Sequence, residues 1–299
     1  MSWSRLIRFI AKEDGQIHYG EPEQDGDLGL LYHSGERITA KTWTDPFSRG
    51  FWDTSSEVLT VARLLSPLAP GDVSAIRGLG LQYAPDPTKQ ASSPPVLCLF
   101  FKPTTCISGP EAVIPVPEAA INEQTDYEVE LCVVIGKPAK DVSVEQAMEH
   151  VAGYCVVNDV SSRGLCGKGG QWGVGKSFDG WCPIGPCLVS PSALKKDPHD
   201  LKITTTVNGK LVQETSTRNL LAGVPEMISR LSQGATLETG SLILTGSPVA
   251  IGRSAPAAAS QESPFLQDGD EVRCYVEGCG TLINHVRRTG SRTPYRSKL

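Results

Sequence analysis

The stretch that decides the fold runs from Asp126 to Ile135 and reads D-Y-E-V-E-L-C-V-V-I. Its second half is a run of β-branched and apolar residues, the composition of a buried strand. In a strand alternate side chains point to opposite faces, so Glu128 and Glu130 share one face while Val129 and Leu131 take the other. Two like charges this close repel unless something positive lies between them. A second apolar run, G-Y-C-V-V-N-D, ends at Asp159, where a strand end can hand a side chain to a cavity. Glu128, Glu130 and Asp159 together are hard oxygen donors suited to Mg²⁺ or Mn²⁺, with positions left for water and substrate.

Working outward, strand-like runs recur at I-R-G-L-G-L, V-L-C-L-F-F, I-T-T-T-V, L-V-Q-E, L-I-L-T, V-R-C-Y-V and T-L-I-N-H-V. Asn208-Gly209 between two of them is a two-residue hairpin turn. Two helices interrupt this region: S-V-E-Q-A-M-E-H, with Ser143 and Gln146 as a capping box, and P-E-M-I-S-R-L-S-Q-G, with Pro225 in its first turn and Gly234 past its end. Many strands and few helices predict an α+β, β-dominated fold. Residues 1–70 read as a small β-rich N-terminal module, with strands at L-I-R-F-I, Q-I-H-Y-G and L-G-L-L-Y and a helix over S-S-E-V-L-T-V-A-R-L-L. Residues 71–290 form the main domain, 291–299 a polar tail, and S-A-P-A-A-A-S-Q-E-S-P-F near residue 260 a surface loop.

Composition narrows the function. The net charge is −5 and no basic run precedes the tail, which argues against a nucleic-acid partner. Nine cysteines without a C-x-x-C pair argue against zinc and for buried, reduced thiols of a cytoplasmic protein. The N-terminal segment is too charged for a signal peptide, and no run has the length of a membrane span. G-Q-W-G-V-G-K-S (170–177) satisfies the phosphate-loop pattern, but the glycines before it and F-D-G-W-C-P-I-G-P after it forbid the strand and helix that pattern needs.

The motifs D-Y-E-V-E-L-C-V-V-I-G-K (126–137), G-Y-C-V-V-N-D-V-S-S-R (153–163), Q-W-G-V-G-K-S-F-D-G-W-C-P-I-G-P (171–186), L-I-L-T-G-S-P (242–248) and L-Q-D-G-D-E-V-R-C-Y-V-E-G-C-G-T-L-I-N-H-V (266–286) resemble, in this order, the fumarylacetoacetate hydrolase superfamily. The resemblance implies a mixed β-sandwich roll, usually a homodimer. It also implies Mg²⁺ or Mn²⁺, Ca²⁺ in some members, and cleavage, decarboxylation or isomerisation of a small 2-oxo or 2,4-dioxo acid. It puts the metal on Glu128, Glu130 and Asp159. Arg163 and Lys176 supply positive charge beside a developing enolate or oxyanion. Ser247 falls at a substrate-carboxylate position, with Tyr83 and Lys102 as further pocket residues. Taken singly, E-x-E reads as a solvated face, Arg163 as an ion-pair partner and Ser247 as a turn cap; the ordered motifs outweigh these readings.

Two positions depart from the superfamily pattern. Hydrolytic relatives carry a histidine after G-L-N-Y, often with a glutamate three residues later; here G-L-Q-Y-A-P-D-P-T-K-Q puts Asp86 and Lys89 at those places and Gln82 where asparagine is usual. Asp86 is then the candidate general base. Cys166 stands where many relatives hold substrate with glutamine. Three classes follow: a carbon–carbon hydrolase of a dioxo acid, a decarboxylase, tautomerase or isomerase that needs no activated water, and a binding subunit that keeps the fold. The intact carboxylates and Lys176 rank the enzymes above the binding subunit.

Overall fold

A computed structural model describes residues 3–43, 54–84, 93–94, 96–168, 170–251 and 265–289. Asp86 and Lys89, most of the alanine-rich loop and the tail 291–299 lie outside the described residues. In chain order the first elements are β1 (Arg5–Ala11), β2 (Ile17–Pro22), α1 (Leu28–His33), β3 (Thr39–Trp43), β4 (Thr54–Leu65), β5 (Ile76–Gly80), β6 (Cys98–Lys102), β7 (Ile107–Ser108), β8 (Val113–Val116) and β9 (Thr125–Asp126). There follow β10 (Val129–Ile135), β11 (Val151–Asn158), β12 (Ser161–Ser162), α2 (Arg163–Lys168), β13 (Cys182–Val189), β14 (Lys202–Val207), β15 (Lys210–Ser216), α3 (Val224–Ser232), β16 (Leu242–Leu244), β17 (Glu271–Val276) and β18 (Gly280–Arg288).

The fold is α+β and strand-dominated. One large mixed sheet runs β2-β3-β4-β1-β13-β11-β10-β16-β5-β6, with β7 added beside β13. A second sheet of order β15-β14-β17-β18-β8 packs on one of its faces. The two faces of β10 show how this is built. Val129, Leu131, Val133 and Ile135 enter a core shared with Ile203, Val272, Val276 and Val286 of the second sheet. Cys132 and Val134 enter a different core, with Cys155, Val157, Cys182 and Leu244. A strand buried on both faces is apolar throughout, which is why E-L-C-V-V-I lacks polar alternation beyond Glu130. The N-terminal strands are stitched into the same large sheet, since β1 pairs antiparallel with β13 as well as with β2 and β4.

Several local expectations change. The segment over residues 55–65 is strand β4 rather than a helix, because β3 and β1 both pair with it and its Val58, Thr60 and Val61 are β-branched. The reverse happens at L-G-L-L-Y, which is helix α1: Asp27 caps it by accepting from the backbone N–H groups of Gly29 and Leu30. The expected helix from Ser143 is a turn and then a 3₁₀ segment, Ala147–His150. Arg163–Lys168, with Cys166 inside it, is a short helix that glycine-rich sequence concealed. The helix at Pro225 and the Asn208-Gly209 hairpin form as expected, the turn residues taking φ of 49° and 78°. Among the described residues no helix is long and apolar enough to cross a membrane.

Candidate active site

The site lies where β10 and β11 leave the core. The ladder between them ends at the pair Val129 and Asn158. It is then extended by irregular bonds: Glu128 N–H donates to Asn158 Oδ1 at 2.9 Å, and Asp159 N–H donates to the Glu128 carbonyl at 2.8 Å. These bonds fix Glu128 and Asp159 side by side, with Glu130 on the same face as Glu128. One ligand oxygen from each of the three carboxylates lies within 4.8 Å of the others, and all three residues are buried.

Three cations surround them. Arg163, at the start of α2, donates from Nη2 to Glu128 Oε1 at 2.6 Å and from Nε to the fully buried Asp126 Oδ2 at 2.8 Å. Lys176 leaves the 3₁₀ segment Trp172–Gly175 and donates from Nζ to Glu128, to Asp159 and, at 2.6 Å, to Ser161 Oγ. Ser161 Oγ in turn lies 2.9 Å from Glu128 Oε2. The third cation corrects an expectation. Lys102 is not on the pocket wall; its side chain has no exposed surface, and its Nζ donates to Asp159 Oδ1 at 2.6 Å and to the Val160 carbonyl at 3.1 Å. It supports the carboxylates from behind.

Electrostatics follow from these contacts. Burial alone would raise the Glu128 carboxyl, but Arg163 and Lys176 outweigh it and hold this carboxyl well below the usual range. Burial opposes the charge on Lys176 as well, and Asp159 and Glu128 reverse that, so Lys176 is an ammonium across the neutral range. Among the described residues no cation pairs directly with Glu130, and the Lys176 charge only partly offsets what raises it. Burial, with the charges of Asp159 and Glu128, pushes it well above the usual carboxylate range, and a backbone N–H from Gly246 is its hydrogen-bond partner. Among the described residues four carboxylates (Asp126, Glu128, Glu130, Asp159) thus face three cations, and the deficit falls on Glu130. The hard oxygen donors and the missing positive charge both fit a divalent cation.

A cavity of about 600 Å³ opens above this floor and is lined by Tyr83, Glu128, Glu130, Asp159, Arg163, Cys166, Lys176 and Ser247, among others. The Tyr83 hydroxyl is buried and has no hydrogen-bond partner among the described residues, and burial with the charge of Glu130 raises its pKa. Ser247 Oγ donates to Glu128 Oε1 at 3.3 Å. Cys166 lines the wall, its Sγ 3.5 Å from the Trp172 carbonyl. Gln82 is buried beside β5 and donates to the Gly80 carbonyl at 3.1 Å.

Four contributors were not singled out from sequence. Asp126 orients Arg163, and its signal was present: D-Y-E-V-E continues the period of two backwards. Gln213 on β15 donates to the Pro248 carbonyl at 2.7 Å and accepts from Val129 N–H at 3.3 Å, tying the turn that carries Ser247 to β10. Phe100 and Trp172 form an aromatic wall, and nothing in sequence separates them from core aromatics.

The model of the C-terminal domain of fumarylacetoacetate hydrolase matches residues 74–287. The chain belongs to the fumarylacetoacetate hydrolase family. It is 37% identical over 298 residues to a caffeoylpyruvate hydrolase of Neonothopanus nambi, covering 96% of this chain and 94% of that one. It is 35% identical over 297 residues to a mitochondrial oxaloacetate tautomerase, FAHD2B of Bos taurus, with 94% and 91% covered. Among solved structures it resembles a 2-hydroxyhepta-2,4-diene-1,7-dioate isomerase from Mycobacterium marinum, with a TM-score of 0.78, 33% identity and 96% and 99% of the two chains covered. A maleylpyruvate hydrolase from Sphingobium, solved with manganese(II) and pyruvate, aligns with a TM-score of 0.62 at 26% identity over 80% and 78%. Family relatives are hydrolases, tautomerases and isomerases, and this chain is an enzyme of that family.

Proposed function

We propose that the protein is a divalent-metal-dependent hydrolase of a small 2,4-dioxo acid, cleaving the carbon–carbon bond between the acyl group and the pyruvate unit. The observation that carries this reading is the convergence of Glu128, Glu130 and Asp159 with Lys176 and Arg163 on the floor of one cavity. Those three carboxylates would hold Mg²⁺ or Mn²⁺. When bound, the cation polarises a keto oxygen as a Lewis acid. In the overall reaction water adds to the acyl carbonyl, the C3–C4 bond breaks, the acyl group leaves as a carboxylic acid and C3 takes a proton to give pyruvate.

The chain's own residues supply the rest. Lys176, its three donors engaged by Glu128, Asp159 and Ser161, holds a full charge at the floor, the place where an enolate oxygen gains negative charge. Arg163 is aimed by Asp126, so its guanidinium keeps one orientation toward Glu128 and the cavity. The Tyr83 hydroxyl, without a partner among the described residues, and Ser247 offer donors to a substrate oxygen. Asp86 is assigned as the base on sequence alone.

Turnover of acetylpyruvate after chelation, and again with Mg²⁺ or Mn²⁺, tests this by the loss of diketone absorbance and one pyruvate per turnover. Glu128→Gln is expected to lower kcat at least a hundredfold and to abolish the heat of Mn²⁺ binding in calorimetry. Equal turnover without metal would refute the reading. A second reading, a tautomerase or decarboxylase of a 2-oxo acid, is favoured by one observation: none of the five histidines lines the cavity, and each has partners elsewhere. Enol-to-keto conversion of oxaloacetate without pyruvate, or carbon dioxide release, would move the assignment there.

A further inference from the structure

One wall of the same cavity has no part in the chemistry above. Gly78 and Gly80 lie two apart on β5 and so face the same side. A Cβ at Gly78 would lie 2.0 Å from the Phe100 ring, and one at Gly80 would lie 2.1 Å from the Trp172 ring. The strand therefore omits two successive side chains on this face, and two aromatic rings occupy the space against its backbone. The rings meet edge to face, with centroids 5.9 Å apart and planes at 62°. Lys176 Nζ stands 4.5 Å from the centre of the Phe100 ring, so the wall begins at the charged floor and runs outward from it. Leu81, Val249, Ala250 and Phe265 continue the apolar lining. Among the described residues that line the cavity the cations are Arg163 and Lys176, and both are committed to carboxylates at the floor.

We propose, resting on the acylpyruvate reading, that the acyl group this site takes is neutral and aromatic, held against Phe100 and Trp172, and that acyl groups ending in a carboxylate are disfavoured. A pyruvate unit engages the floor and leaves most of the cavity to the acyl group. A flat ring removes apolar surface from water on both sides and meets the aromatic pair at favourable geometry. A terminal carboxylate at the same place gives up water and gains no uncommitted cation from the described lining in return.

The test compares kcat/KM for acetylpyruvate, benzoylpyruvate and fumarylpyruvate. Benzoylpyruvate is expected to exceed acetylpyruvate by about tenfold to a hundredfold, the range for burying one ring, and fumarylpyruvate is expected to be the poorest of the larger substrates. Trp172→Ala should cut the benzoyl-to-acetyl ratio at least fivefold, and Trp172→Phe should keep most of it. Val249→Arg, at a half-exposed position on the lining, should raise the fumaryl-to-benzoyl ratio and serves if Trp172→Ala does not fold. A wild-type preference for fumarylpyruvate, or equal rates with acetyl and benzoyl substrates, would overturn the aromatic subsite and leave the hydrolase standing. Silence on all three refutes the hydrolase instead, and the wall is then read by binding. In that case benzoylpyruvate must quench tryptophan fluorescence at lower concentration than fumarylpyruvate, and must lose that advantage in Trp172→Ala; if it does not, the aromatic subsite falls as well.

Discussion

Replacing Lys102 with methionine separates a support behind the carboxylates from a ligand on the pocket wall. Lys102 and Asp159 are both without exposed side-chain surface, and their ion pair is 2.6 Å long. Removing the lysine leaves Asp159 buried with Lys176 as its remaining cation, so the cost of about 3–5 kcal/mol for orphaning a buried charge is an upper bound here. For a chain of 299 residues that corresponds to a fall in Tm of roughly 5–8 °C at most. The assay is thermal and urea unfolding in chelator, alongside KM for the substrate that proves active. Asp159→Asn and the double variant complete a cycle. The double variant should be at least about 2 kcal/mol less destabilised than the sum of the single ones, because neither charge is then left alone. Lys176 also donates to Asp159, so Asp159→Asn is expected to cost more than Lys102→Met. An unchanged Tm with a raised KM in Lys102→Met would return this lysine to the pocket wall and refute the placement.

Two further predictions concern the scaffold. Burial pushes the thiols of Cys187 and Cys274 up to about 12 each, against about 8.5 in an unfolded chain. Between those values the unfolded chain has lost these protons while the folded one keeps them, so stability is full below about pH 8.5 and falls as pH rises, by about 1.4 kcal/mol per unit for each thiol. Urea midpoints from pH 8.5 to 10 under reductant should show this slope, and Cys274→Ala should remove one thiol's share; an unaltered slope in that variant would sink the assignment. Asp27 caps α1 and also accepts from the Thr281 backbone N–H at 3.0 Å and its hydroxyl at 2.6 Å. Asp27→Ala should therefore cost about 2–3 kcal/mol, more than a cap alone, and Asp27→Asn distinctly less. Equal stability of the alanine variant and wild type in urea would contradict the dual role.

Legibility in the sequence followed the range of the forces involved. The strand runs and the Asn208-Gly209 turn are local, and the period of two in D-Y-E-V-E is enough to put three carboxylates on one face. Where the outcome depends on a partner, the local pattern misleads. V-L-T-V-A-R-L-L carries apolar spacing that suits a helix, and it is a strand because β1 and β3 lie on either side of it. Lys102 shares its face of β6 with Phe100, yet Phe100 lines the cavity and Lys102 does not. Alternation gives the face, while depth is set by β11 and by Asp159 just past its end, far away in sequence. Phe100 and Trp172 are ordinary apolar residues until the glycines of β5 bring them to one wall.

The site and the core are parts of one strand face. Glu128, Glu130, Cys132 and Val134 follow one another on the same side of β10, and from Cys132 onward that side is packed core. The carboxylates are therefore desolvated by the fold itself rather than by a closing ligand, and desolvation of unbalanced charge is what raises Glu130. The same lack of water strengthens any attraction to a cation placed between the carboxylates. Lys102, Arg163 and Lys176 offset most of the burden, so the protein can fold around four acids and still keep one position in need of positive charge. On the proposed metal-dependent reading, the shortfall at Glu130, set against three better-paired neighbours, is where a divalent cation would supply the charge that the fold withholds.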